Sequence, residues 1–287
     1  MSKSTFNRQF ILGITLVSAM GGLLFGYDWV VIGGAKPFYE RFFDITNSPY
    51  LQGWAMSSAL IGCLIGALVS GYLTDRLGRK MPLITAAALF SIAAIGTGAV
   101  NNFTLFIVFR LIGGLGIGLA SAISPMYIAE ISPASMRGRL VSVNQLTIVL
   151  GILAAQITNY LIAEAVPAGS TDDFILNSWN GQSGWRWMFW AGTVPALLFF
   201  VLSFFIPESP RFLAKSGKSD SAFSILKKIG GEAYALQEQK EIAETLQGTD
   251  SKIDWKALRS KKVRPVLILG IVLAVFQQWC GINVIFN

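Results

Sequence analysis

Uncharged or nearly uncharged runs recur seven times along the chain, each of about the twenty residues that an α-helix needs to cross a bilayer. They are Phe10–Ile32, Ala55–Leu73, Met81–Val100, Leu105–Ile128, Leu140–Ala163, Trp187–Ile206, and one that starts at Pro265 and is still running at Asn287. Lipid offers the backbone no hydrogen-bond partners, and runs of this length satisfy it as helices. The pattern predicts an all-α membrane protein. Composition agrees. Only 14% of the 287 residues are charged, against about 25% in an ordinary soluble domain. Disorder, a fibrous protein and an ordinary soluble enzyme are excluded. With no histidine and two cysteines, a disulfide framework, a His-based metal site and a Ser-His-Asp triad are not expected. Neither a catalytic residue nor a metal or cofactor is predicted.

The net charge of +7 would suit nucleic acid or anionic lipid, and its placement decides. The amino terminus and the connections after the second, fourth and sixth runs hold 19 of the 23 Lys and Arg. The other side holds Lys36, Arg41 and Arg186, and Arg110 lies within a run. Positive residues stay cytoplasmic. The amino terminus is therefore expected in the cytoplasm, in a multi-pass protein of the cell's inner membrane. The partner is the bilayer, and no nucleic acid is expected. Lys3 and Arg8 before the first run resemble the start of a signal peptide. No clean small-x-small cleavage site follows, so that run reads as a retained helix.

Three segments result: a six-span bundle over 1–206, a cytoplasmic helical linker over 207–264, and an incomplete seventh span over 265–287. In the linker, Ser209-Pro210 reads as an N-cap with proline at the first helical position. Ser219 or Asp220 caps a second helix with Ala222, Phe223, Leu226 and Ile229 on one stripe and Gly230-Gly231 as its stop. A third, Glu232–Leu246, is mostly polar. The last run ends without a polar tail. A truncated record of a doubled 6+6 transporter is the expectation, its carboxyl-terminal six-span half missing.

Charge inside a span costs about 2.5–3.5 kcal/mol and marks function. Asp28 lies about seven residues before the expected outer end of the first span and Arg110 about as far below the outer start of the fourth, roughly 10 Å deep in both cases. Equal depth makes a pair possible, either a static salt bridge or an acid that takes up and releases a proton. The amides Asn144, Gln145, Gln156 and Asn159, and Gln277, Gln278 and Asn283, offer donors and acceptors suited to hydroxyl-rich solutes. The plainer alternative is interhelical hydrogen bonding. Glycines at 62, 66 and 71, and at 113, 114, 116 and 118, are a helix-packing signal. The second group superficially resembles a nucleotide fingerprint, but no strand precedes it. Asp75, Arg76, Arg79, Glu130, Arg137, Arg139 and Glu208 fall at cytoplasmic span ends and read as a charge-based gate brace.

Five segments carry a resemblance: Gly26-Tyr27-Asp28; Gly71 to Lys80 (GYLTDRLGRK); Pro125 to Glu130 (PMYIAE) with Arg137-Gly138-Arg139; Pro207 to Arg211 (PESPR); and Gln277-Gln278 with Gly281-Ile282-Asn283. Together they resemble the sugar porter family of the major facilitator superfamily, and within it the bacterial pentose or hexose–proton symporters. The resemblance implies a twelve-helix fold with a sugar site between two six-helix halves. It implies sugar contact for Gln145, Gln277, Gln278 and Asn283 with Phe25 as an apolar face, and proton coupling at Asp28 modulated by Arg110. Two positions depart from the xylose-type pattern: Ile152 stands where an amide is expected, and Gly192 where an acid is expected. The function expected is sugar–proton symport by alternating access. An uncoupled sugar facilitator, or a sensor of the same fold that does not transport, is the alternative.

Overall fold

The protein is described here by a computed structural model covering residues 6–247, 260 and 263–279. All its regular structure is helical. The order is α1 (Arg8–Phe42), α2 (Pro49–Leu77), α3 (Lys80–Ala99), α4 (Phe103–Ile131), α5 (Arg137–Ile162), α6 (Asp172–Asn177), a π-turn (Asn180–Gly184), α7 (Trp185–Ala191), α8 (Thr193–Ser203), α9 (Pro210–Lys215), α10 (Ser219–Gln247) and α11 (Arg264–Trp279). Among the described residues six segments are long and apolar enough to cross a membrane: α1 to α5, and the segment Asn180–Ser203. The chain divides into two compact units, Met1–Gln239 and Lys240–Asn287.

Helix starts follow side-chain chemistry. Asn7, Ser48, Asn102, Thr171 and Ser209 each accept a hydrogen bond from a first-turn backbone N–H, and Pro49 and Pro210 occupy first helical positions. The spanning helices overrun the apolar runs. α1 continues past Ile32 to Phe42, and α2 begins at Pro49 instead of Ala55. Hydropathy marks where lipid is, whereas caps mark where the helix ends. The sixth span begins at Asn180 rather than Trp187. The charge of Arg186 hides this start in the sequence. In the fold that guanidinium donates to the Gly98 and Val100 carbonyls at 2.8 and 2.7 Å and to Asn101 Oδ1 at 2.7 Å.

The two most extensive helix pairings are not between neighbours in sequence. α2 packs chiefly on α4, α1 on α5, and α3 on α4 and α8. Glycine permits the two closest seams. A methyl added at Gly62 or Gly66 would overlap the Leu111 or Leu115 carbonyl, and one at Gly114 or Gly118 the Ala59 or Cys63 carbonyl. Between α1 and α5, Gly26 faces the Ile148 carbonyl and Gly151 the Leu23 carbonyl in the same way. These are close small-residue contacts of the kind that hold helices together in lipid. α2 and α5 keep most of their apolar surface outward.

The bundle has two unlike ends. Phe42, Phe43, Phe103, Phe106, Trp185 and Phe189 form an aromatic knot where α1 ends and α4 begins. The other end carries the basic connections. Beyond it, α10 kinks at Gly231 (φ 81°). Lys227 bonds Glu232 across the kink at 2.7 Å and holds that carboxyl below its ordinary value. α11 runs for 16 residues and is apolar from Pro265 to Phe276; the rest of the expected seventh span lies outside the described residues.

Candidate functional site

α1 and α4 pack directly, and that contact brings Asp28 and Arg110 together. Arg110 Nη1 donates to Asp28 Oδ1 at 2.7 Å. The arginine side chain is 4% exposed and the aspartate 23%. Its guanidinium carbon lies 6.0 Å from the centre of the Phe189 ring, at the margin of a cation–π contact. Beside the pair is a cavity of about 30 Å³. Its lining includes Tyr27, Thr97 and Gly192. Loss of the carboxylate charge would leave the Arg110 charge, 4% exposed, without its partner, and an uncompensated buried charge is unfavourable by about 3–5 kcal/mol.

On the far side of α1, a cleft of about 410 Å³ is lined by Phe25 and Gln145 with Gly22, Ser121, Pro125 and Asn144. That volume suits a small ligand. Gln145 is exposed to the cleft while its neighbour Asn144 is buried; one residue along a helix turns the side chain to another face. The cleft therefore presents an amide, hydroxyls and an aromatic edge. Gln277 and Gln278 belong to α11 by backbone; their side chains, and Asn283 altogether, lie outside the described residues.

At the basic end three of the seven expected brace residues meet. Arg79 Nη2 bonds Glu130 Oε1 at 2.8 Å, each side chain 11% exposed. Glu208 accepts from the backbone N–H of Arg79 at 2.8 Å and of Lys80 at 3.2 and 3.3 Å. α3 starts at Lys80 with no side-chain cap from its own preceding residue. Glu208, 128 positions away, fills that role, and a carboxylate at a helix N-terminus is favourable. Asp75 instead pairs with Lys215 at 3.1 Å on the surface. Arg76 lies over the Tyr72 ring. Arg137 and Arg139 stand exposed on the first turn of α5.

Sequence reasoning missed three contributors here. Ser209 Oγ donates to Glu130 Oε2 at 2.5 Å while accepting from Phe212 N. Tyr127 donates to the Pro207 carbonyl at 2.6 Å. Gly78 holds φ +83°, and a methyl there would overlap the Glu208 carboxylate. The sequence marks Ser209 only as an N-cap; the acid at Glu130 gives its hydroxyl proton a second use.

A family model described as "sugar (and other) transporter" matches residues 14–287. The chain belongs to the sugar porter family of the major facilitator superfamily. It is 43% identical over 289 residues to a glucose transport protein of Synechocystis, covering 99% of this chain and 60% of that protein. It is 41% identical over 276 residues to an arabinose–proton symporter of Bacillus subtilis, covering 96% and 57%. The fold is similar to the xylose transporter XylE of Escherichia coli in a partially occluded inward-open conformation, with a TM-score of 0.81 at 39% identity over 96% of this chain and 65% of that one. This chain thus spans about 60% of the length of the first of these relatives, and its bundle matches the amino-terminal half of the fold. The family is one of membrane transporters and not of enzymes, and among the described residues this chain has six segments long and apolar enough to cross a membrane.

Proposed function

We propose that the protein is a sugar–proton symporter that works by alternating access across the cell's inner membrane, with its amino terminus cytoplasmic. In this reading residues 1–206 form the amino-terminal bundle, 207–264 a cytoplasmic linker and 265–287 the seventh span. The observation that carries it is the Asp28–Arg110 pair, 2.7 Å apart within the bundle. The identity with an arabinose–proton symporter supports it. Asp28 is the proton site. Ionised, it holds α1 to α4 through Arg110; protonated, it releases that attraction, and the balance between outward and inward states shifts. Phe25 and Gln145 contribute to the sugar site, and Gln277, Gln278 and Asn283 are assigned to it by the family resemblance alone. Arg79, Glu130 and Glu208, joined by Asp75, Arg76, Arg137 and Arg139, brace the cytoplasmic gate.

The test is Asp28→Asn in the full-length protein in proteoliposomes. The amide keeps the shape and cannot titrate. Sugar accumulation driven by a proton gradient is expected to vanish, while sugar binding and sugar counterflow persist. Accumulation that survives in this variant overturns the assignment. Parent uptake indifferent to the proton gradient would mean a facilitator, and no labelled-sugar uptake a sensor.

A further inference from the structure

The cavity beside Asp28 and Arg110 shares no residue with the sugar cleft. Three observations bear on its content. Arg110 lines it, and although Nη1 bonds Asp28, the buried Nε has no protein partner. An unmet buried N–H costs about 1–3 kcal/mol. Next, about 30 Å³ exceeds the roughly 10–15 Å³ that one water needs. Asp28, Arg110, Tyr27 and Thr97, all with polar side chains, line it, and a buried water takes two to four polar partners. Finally, Gly192 keeps the space open. A methyl there would come 2.9 Å from the Tyr27 ring. That ring is tethered, since its hydroxyl donates to the Met188 carbonyl at 2.8 Å.

We propose that this cavity is a water site through which protons reach and leave Asp28 by a route separate from the sugar cleft. The proposal rests on the reading of Asp28 as the proton site. The step is balanced: a hydronium in the cavity gives its proton to the carboxylate and remains as water. The ionisable groups that line the cavity with Asp28 are Arg110 from α4 and Tyr27 from α1. α3, α7 and α8 bring none to the cavity wall. Among the described residues, the cavity wall therefore offers hydroxyl groups and no acid besides Asp28.

Two measurements on the full-length protein test this. Radiolytic hydroxyl footprinting marks side chains beside buried water. Tyr27 and Phe109, both on the wall, are expected to be labelled in the parent; no labelling of either overturns the water site without touching the assignment of Asp28. Ala94→Val, which narrows the cavity, and Thr97→Val, which removes a hydroxyl at nearly constant volume, are then compared in proteoliposomes. Proton-driven accumulation is expected to fall toward the level set by the sugar gradient alone, with sugar counterflow intact. Full accumulation in both variants, alongside its loss in Asp28→Asn, overturns the route and leaves the proton site standing. Accumulation that survives Asp28→Asn removes both.

Discussion

Arg79 and Glu130, 51 residues apart, meet at 2.8 Å with each side chain about a tenth exposed. This joins the start of α3 to the end of α4 at the basic end of the bundle. Charge-assisted hydrogen bonds of this kind are worth about 1.5–3 kcal/mol, because breaking one leaves a partly desolvated charge. Glu130→Gln should lower stability by that amount and Glu208→Gln by a similar one, since Glu208 caps α3. Asp75→Asn, whose pair with Lys215 is more than half exposed on both sides, should change stability by less than about 1 kcal/mol. Thermal unfolding of the three variants in detergent orders them. Equal effects would show that burial does not govern these pairs. In transport, Glu130→Gln should favour inward opening, read from cytoplasmic cysteine-probe accessibility.

Gly78 is a second lever on the same network. Its φ of +83° with ψ −163° lies in a region open essentially to glycine alone, at about 1–3 kcal/mol for other residues. Gly78→Ala adds a methyl that overlaps the Glu208 carboxylate. Its unfolding temperature should fall more than that of Glu208→Gln, and the double variant should lose less than the sum.

The glycine seams predict a contrast within one helix. Gly62→Ala drives a methyl into the Leu111 carbonyl of α4, whereas Gly71→Ala meets nothing within 4 Å. The first should cost about 1–3 kcal/mol by overpacking, and the second should be close to silent or slightly stabilising. Detergent melting curves of the pair check this directly.

Gln145 presents its amide to the cleft shared with Phe25. Gln145→Ala should weaken sugar binding by about 1–3 kcal/mol through loss of hydrogen bonds to sugar hydroxyls, measured by calorimetry on the full-length protein. Unchanged affinity in a well-folded variant would assign the residue to helix packing.

Much of this was legible because a charge in an apolar run is conspicuous. Asp28 and Arg110 could be matched by their expected depth, and the fold brings their side chains to 2.7 Å. Helix ends were less legible: Phe42 and Asn180 lie outside the apolar runs, and their limits depend on caps and on Arg186 finding carbonyls 85 or more residues away. The brace was legible as a set of charges but not as a wiring diagram. Nothing local distinguishes Arg79 from Arg137. The first is folded in beside Glu130, and the second is left on an exposed first turn. Cavities are less visible still, since Gly192 signals an absence whose use depends on Tyr27 and Arg110 arriving from two other helices.

The sequence separation of 82 between Asp28 and Arg110 also bears on how the protein is born. A ribosome delivers α1 to the membrane three helices before α4 exists. Until then the carboxylate must be tolerated alone, at about 2.5–3.5 kcal/mol on insertion scales. The flanking Leu23, Leu24 and Phe25 and Val30, Val31 and Ile32 each offset about 0.3–0.6 kcal/mol, enough to commit the helix early. The later helix has the easier entry, because Arg110 arrives where a counter-charge is already waiting. Loss of Asp28 would therefore be felt first at the translocon, as slower or misoriented insertion of α4, before any solute is carried.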